Sequence, residues 1–364
     1  MQHVTIYRKP DRWAATPANY GIWSWGDEIV VGFVAGLLQP SGEFHARDRS
    51  QPMTAMQARS LDGGLTWQTT SIPARAPGGR CFSADEHVVP ELGVSHALAA
   101  GLPPQPGPWP DGLDFTHPDF ALLAARTGLG AGTVAWCYVS TDRCRSWQGP
   151  LRLPSFGLPG IEARTDYLVL GPRRLLLFLT AARASGSEGG GVFCARTADG
   201  GATFELVSWV ACADEGFVIM PASVRLPDGR LLTAVRCRDS AAPTARNWID
   251  LYTSQDQGAT WRFLSRPVAD TGQGGNPPTL TRLHDGRLCI THGYRNAPYG
   301  IRATLSEDEG ATWGPVIVLR DDAGNADIGY PRTVQRPDGT IVTVYWLNDH
   351  AEGERYIAAT LWQP

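Results

Sequence analysis

The stretch 161–170, IEARTDYLVL, sets Glu162, Arg164 and Asp166 at alternate positions leading into an apolar, strand-like run. Alternation with a period of two puts all three on one side of an extended chain. A guanidinium between two carboxylates can grip an anion and supply an acid/base pair, or it can form an ion pair that stitches neighbouring sheets. Other arginines repeat the placement: Arg236 and Arg238 in TAVRCRD, Arg295 and Arg302 in GYRNAPYGIRA, and Arg332 two residues after Tyr330 in DIGYPRTVQ. Guanidinium forks match planar anions, so arginines gathered at strand starts favour an anionic ligand over a neutral one. For proton transfer near neutral pH the chain offers His45, His87, His96, His117 and His292.

Such groups need a scaffold, and the composition narrows it. The 364 residues are 43% hydrophobic and 19% charged, which is globular, while 41 Gly and 28 Pro spread along the chain imply many turns rather than disorder. A net charge of −4 argues against a nucleic-acid partner, which would need a basic face. No apolar run approaches the roughly 18 residues of a membrane span. The opening MQHVTIYRKPDRW lacks the apolar core of a leader, so the chain as written reads as cytoplasmic, or as secreted or periplasmic if a leader has been trimmed. The seven Cys lack zinc-like spacing and read as reduced, mostly buried thiols. No metal or organic cofactor is implied.

Internal repeats carry the fold. An octapeptide, Ser/Thr-x-Asp-x-Gly-x-Thr-Trp, recurs as SLDGGLTW (60–67), STDRCRSW (140–147), TADGGATF (197–204), SQDQGATW (254–261) and SEDEGATW (306–313). Each describes a hairpin turn in which Asp bonds nearby backbone N–H groups and Gly supplies a positive φ. In the second copy Cys144 stands where Gly is expected, so that turn is expected to be the most distorted. A second element, strand–tight turn–strand, recurs as RLPDGRLLTAV (225–235), RLHDGRLCITH (282–292) and RPDGTIVTVYW (336–346), with a weaker form at 169–180.

Combining the two gives a four-stranded antiparallel sheet per unit, that is, one propeller blade. The units fall at about 19–75, 85–155, 160–212, 213–270, 271–323 and 324–364. The expected fold is therefore all-β: one six-bladed β-propeller domain spanning 1–364, with the β-prone HVTIY near the start completing the last blade. The Pro/Gly-rich 98–120 reads as an inserted loop.

The octapeptides match Asp boxes, and the chain resembles the sialidase (neuraminidase) superfamily over essentially its whole length. The resemblance implies an exo-glycosidase that hydrolyses a terminal acidic sugar, with a Tyr nucleophile, an Arg clamp on the sugar carboxylate and a loop Asp as acid/base. A phenol suits that chemistry because a carboxylate nucleophile would be repelled by the substrate's own carboxylate. Carried over by motif, Tyr330 is the nucleophile, Arg236 and Arg295 belong to the clamp with Arg238 a rival, and Asp48 is the acid/base with His45 a rival proton donor. Arg332 is a candidate third guanidinium, and Arg164 with Asp166 a replacement grip. Trp23 and Trp25 read either as a pocket floor or as packing between blades.

Two departures bear on the reaction. The family's Arg-Ile-Pro motif in blade one has no counterpart in NYGIWSWGDEIVVGF, and the Glu-Pro opening blade four is replaced by Met220-Pro221, with Glu215 five residues earlier. Two other functions stay open: a polysaccharide lyase, in which His or Tyr takes a proton beside a uronate carboxylate, and a non-catalytic glycan-binding propeller.

Overall fold

Short β-rich runs punctuated by Asp-Gly turns favour pairing of each strand with the next one along the chain. The computed structural model, which describes residues 1–40, 44–48, 50–51, 53–73, 106–240 and 245–364, shows the consequence: antiparallel sheets arranged as a six-bladed β-propeller. β1 (Gln2–Tyr7) is held over for the last sheet. The first sheet comprises β2 (Arg12–Ala15), β3 (Ile22–Trp25), β4 (Glu28–Leu37), β5 (Thr54–Ser60) and β6 (Gln68–Ser71). The second has β7 (Ala121–Arg126), β8 (Ala135–Ser140) and β9 (Gln148–Arg152) among the described residues.

The third and fourth sheets are regular: β10 (Tyr167–Gly171), β11 (Arg174–Ala181), β12 (Gly191–Thr197) and β13 (Glu205–Cys212), then β14 (Phe217–Arg225), β15 (Leu231–Asp239), β16 (Arg246–Ser254) and β17 (Arg262–Val268). The fifth has β18 (Thr279–Arg282), β19 (Leu288–Tyr294), β20 (Gly300–Ser306) and β21 (Ile317–Arg320). The sixth has β22 (Gly329–Gln335), β23 (Ile341–Leu347) and β24 (Tyr356–Trp362), with β1 pairing antiparallel to β24 as the outermost strand. The innermost strands pack side by side, β14 on β18 and β18 on β22. Apolar side chains fill the space between sheets, and β23 and β24 are buried along their full length.

The first sheet begins at Arg12, ahead of the start near 19 expected from the repeats, because its innermost position is split. β2 pairs one half of β4 and β3 the other. Between them, Thr16 takes a left-handed φ of 60°, Pro17 starts the single-turn helix α1 (Pro17–Tyr20), and Gly21 at φ 119° ends it. The break turns Asn19 and Tyr20 inward, where both are buried. Of the expected insertion 98–120, residues 98–105 lie outside the described residues. Residues 106–120 carry no regular strand or helix, and their Trp109, Leu113 and Phe115 are buried against the second and third sheets.

All five octapeptides join the last two strands of their sheets. In the first, the Ser60 hydroxyl donates to Asp62 Oδ1 at 2.8 Å, and Asp62 accepts the Thr66 amide at 2.9 Å and the Thr66 hydroxyl at 2.6 Å. The second copy corrects the expectation of distortion: Asp142 makes the same set at 2.8, 2.9 and 2.6 Å. Cys144 takes the glycine's place at φ 62° with its thiol buried, so the cost falls on one backbone torsion and the turn survives. Among the described residues the cysteines are free, and all but Cys212 are buried; Cys81 lies outside them.

Antiparallel alternation then separates two rims. Turns from first to second strand and from third to fourth share one rim with the octapeptides. Starts of first strands, ends of second strands and second-to-third loops share the other, which brings Tyr330, Arg236, Arg295, Arg164 and His45 to a common side.

Hydrogen bonds to the carboxylates hold Asp62, Asp199, Asp256 and Asp308 down to about 2 from 3.8, led in each case by the Thr hydroxyl. A depressed folded value means stability that is complete above the unfolded pKa and lost as pH falls through the folded one. Acid titration followed by tryptophan fluorescence should therefore leave the propeller intact at pH about 5 and unfold it between about pH 4 and pH 2. Replacing Asp256 and Asp308 together by Asn should flatten that acid limb.

Candidate active site

Two bulges aim side chains at the propeller axis. In the fourth sheet Ile219 pairs with Arg236 and the ladder resumes at Ala222 with Ala234; in the sixth, Gly329 pairs with Trp346 and the ladder resumes at Arg332 with Val344. The skipped residues are Met220-Pro221 and Tyr330-Pro331, equivalent points on two innermost strands. Proline cannot donate to a ladder and so suits a bulge. The residue ahead of each takes a left-handed conformation, Met220 at φ 55° and Tyr330 at φ 46°. Such torsions cost about 1–3 kcal/mol in a non-glycine residue and gather at functional sites.

The phenol of Tyr330 meets Arg236, whose Nη1 donates to its oxygen at 3.0 Å. Arg236 Nη1 also lies 3.6 Å from Met220 Sδ, and Nη2 donates to the Gly274 carbonyl. Phe217 is flanked by Arg236 at 4.9 Å and Arg238 at 5.0 Å from its ring centre, and Arg238 Nε donates to Asn247 at 3.0 Å. Arg295, 1% exposed, lies 5.4 Å from the Tyr330 ring centre. Arg164 is buried with Nε donating to Asn19 Oδ1 at 2.7 Å. Asn276 accepts the Tyr330 amide at 2.9 Å, and Trp346 stacks on the Tyr330 ring at 4.7 Å.

The charge balance of this cluster is one-sided. Among the described residues Arg236, Arg238, Arg295 and Arg332 form no salt bridge with a carboxylate, and the hydrogen bond to the phenol comes from Arg236. Backbone carbonyls take that place: Ile328 and Gly275 accept from Arg295 at 2.7–3.0 Å, and Ala18 and Thr165 accept from Arg332 at 2.6 and 2.5 Å. Burial pushes the Tyr330 hydroxyl up, but Arg236, Arg295 and Arg164 outweigh it and bring the phenol below its ordinary value of 10.

Other expected participants are held elsewhere. Asp48 accepts the Ser50 amide at 2.9 Å and hydroxyl at 2.6 Å, so it caps its own turn. Glu215 is exposed on the bend before β14, with no described bond to Tyr330. Asp166 is spent on Ser223, at 3.2 Å from the amide and 2.7 Å from the hydroxyl, and burial raises it to about 6. Glu162 binds the amides of Gly130 and Gly189. Arg295 and Arg332 are anchored to the backbone rather than presented as free forks, and Arg302 stacks on Tyr294 at 3.4 Å beside an outer groove that His292 also lines. Trp23 and Trp25 pack between blades, donating to Tyr167 and to the Pro118 carbonyl. His117 is exposed, and His87 and His96 lie outside the described residues.

His45 does arrive at the site. Its Nδ1 faces Asp327 Oδ1 at 2.7 Å, and its ring centre lies 6.0 Å from that of Trp346. Asn19, Asn276, Asp327 and Trp346 escaped the sequence reading because no motif marks them. The one available signal was position: Asp327 and Trp346 flank Tyr330 in the same repeat.

Fold and site together define a six-bladed propeller with a cationic axial centre around a tyrosine. The chain belongs to the BNR repeat-like domain family, which matches residues 120–343. It is similar in structure to a protein of unknown function from Dyadobacter fermentans, at 24% identity over 99% of this chain and 97% of that one, with a TM-score of 0.68. It is similar also to the α-L-arabinofuranosidase of Fusarium graminearum in complex with arabinobiose (13% identity, 100% and 98% of the chains, TM-score 0.64). A third is the α-L-arabinanase of Penicillium chrysogenum with arabinobiose (12%, 99% and 99%, TM-score 0.59). At these identities the likeness is one of fold. No curated protein matches the sequence.

The phenol's shifted ionisation is directly measurable. In a spectrophotometric tyrosine titration one phenol should ionise below the ordinary range, Tyr330→Phe should delete that step, and Arg236→Met should move it upward.

Proposed function

We propose that the chain is a propeller glycosidase that removes a terminal acidic sugar, of the sialic acid or uronic acid class, with Tyr330 as nucleophile. The observation that carries this reading is the phenol held at 3.0 Å by Arg236, beside Arg238 and Arg295, none of which pairs with a carboxylate among the described residues. Uncompensated buried cations are costly unless an anion completes them. A sugar carboxylate supplies that anion, and the same cations stabilise negative charge on the attacking phenol oxygen. Arg236, Arg164 and Arg238 form the grip in this reading, while Arg295, held by backbone carbonyls, acts through its field. That arabinan-acting glycosidases share the fold supports glycoside cleavage as the reaction class; the arginines support an acidic rather than a neutral sugar.

One observation favours a second reading, elimination at a uronate. Met220 occupies the bulge where the sialidase resemblance expects a Glu beside the tyrosine, and elimination needs no such carboxylate. The two reactions differ in product, since elimination leaves an unsaturated uronate that absorbs in the ultraviolet.

Fluorogenic methylumbelliferyl glycosides of sialic acid, glucuronic acid and arabinofuranose separate the possibilities. Release from an acidic glycoside and none from the arabinofuranoside is expected, with Tyr330→Phe lowering kcat on the order of 10²–10⁴-fold. Arg236→Lys should raise KM about tenfold, because a point charge cannot replace a planar fork. Turnover of the arabinofuranoside alone would refute the acidic-sugar reading.

A further inference from the structure

Three residues before Tyr330 stands a carboxylate that no motif marks. The Asp327 side chain is 1% exposed, yet both its oxygens are occupied. Oδ1 faces His45 Nδ1 at 2.7 Å, and Oδ2 accepts from Arg355 Nε at 2.8 Å, Trp13 Nε1 at 3.2 Å and the Ala46 amide at 3.2 Å. Arg355, itself buried, faces no other carboxylate among the described residues, so Asp327 is a paired anion fixed by four donors. A carboxylate can only accept; the hydrogen of the bond to His45 therefore sits on Nδ1. Nε2 is left with its lone pair, without a hydrogen-bond partner among the described residues, on a ring that is 24% exposed.

The ring is held as firmly as its tautomer. Phe44, Trp13 and Trp346 surround it with centroid distances of 5.1, 6.1 and 6.0 Å. Trp346 is the same indole that stacks on Tyr330 at 4.7 Å, and its Nε1 donates to the Asp327 carbonyl at 2.8 Å. One aromatic wall thus carries the phenol and the imidazole, and one residue, Asp327, ties down both the wall and the imidazole.

We propose that His45 is the proton-transfer residue of this site and Asp327 its positioning residue. The reaction they serve rests on the glycosidase reading above. As the Tyr330 oxygen bonds to the anomeric carbon and the glycosidic bond breaks, His45 Nε2 takes the phenol's proton, and the departing oxygen on the opposite face takes a proton from solvent water. In the second half, water adds its hydroxyl to the sugar and gives its other proton back to solvent, and Nε2 returns the phenol's proton to the tyrosine. Only water is consumed, and the protein ends as it began. Asp327 keeps Nδ1 protonated throughout and stabilises the transient imidazolium.

The charges facing His45 set its pH behaviour. Burial lowers its pKa most, Arg295 and Arg47 add to the lowering, and Asp327 opposes it, for a net value below the ordinary 6.5. For Asp327, burial favours the neutral acid, but His45 and Arg355 hold the carboxyl well below the usual range. Nε2 is therefore a free base at neutral pH, and activity that depends on it falls as pH drops through the lowered histidine value.

The first test needs no substrate. In ¹⁵N imidazole spectra of the full chain at neutral pH, His45 should carry its proton on Nδ1, and Asp327→Asn should shift it toward Nε2; an Nε2 proton in the wild type overturns the proposal. The second uses the methylumbelliferyl glycosides of sialic acid and glucuronic acid. His45→Asn keeps a donor toward Asp327 and should fold, while losing kcat on the order of 10²–10⁴-fold; an unchanged kcat overturns the proposal. Asp327→Asn should lower kcat and displace the acid limb of the pH profile, and Asp327→Glu should restore part of both, which a purely structural role would not produce. If the wild type cleaves neither glycoside, the glycosidase reading falls, and the tautomer still decides the dyad: Nδ1–H upholds it and Nε2–H ends it.

Discussion

Positive charge buried without negative charge is the constraint on which the centre of this molecule depends. A guanidinium taken out of water must be given hydrogen bonds, and a carboxylate would satisfy it and cancel its field at once. Carbonyl oxygens satisfy it without cancelling the field. Arg295 and Arg332 are held in this second way, by Ile328, Gly275, Ala18 and Thr165. The donors are thus largely spent while the charge remains, and at Tyr330 the Arg295 field joins those of Arg236 and Arg164, which is why a buried phenol ionises more easily than one in water.

The carbonyls must be aimed, and the propeller aims them. Every blade sends its first strand out of the axis in the same direction, so irregular backbone at the strand starts converges on one point. The split first strand and α1 bring Ala18 and Asn19 there; the bulges at Met220-Pro221 and Tyr330-Pro331 bring two side chains that a regular ladder would point sideways. The octapeptide turns, all on the opposite rim, hold their hairpins without touching the site. Strain at the axis and regularity at the far rim are two sides of one division of labour.

The regular part was open to sequence reasoning and the irregular part was not. The five octapeptides and the Asp-Gly turns revealed blade number and strand order, because each repeat encodes its own local hydrogen bonds. The Tyr330 and Arg236 positions followed from where they stand in their repeats. What escaped were residues whose importance lies in contacts between distant segments: Asn19 with Arg164, Asn276 with Tyr330, Asp327 with His45. Arg295 and Asp166 show the converse case. Their types and strand positions suited a clamp and an acid, yet backbone carbonyls and Ser223 consume them, and no spacing rule reveals whether a side chain's partners are already chosen.

Met220 gathers these threads. A glutamate at that bulge would sit beside Arg236 and Tyr330, pair with the nearest cation and take the phenol's proton. A thioether does neither. Its presence leaves the arginine field uncancelled and leaves the proton without an acceptor on that side. The field favours loss of the proton, and in the proposed mechanism His45, fixed by Asp327 and sharing Trp346 with the tyrosine, offers a lone pair to receive it. An apolar side chain where the sialidase resemblance expects a carboxylate thus makes the density of arginine and the proposed role of the buried His–Asp pair physically coherent.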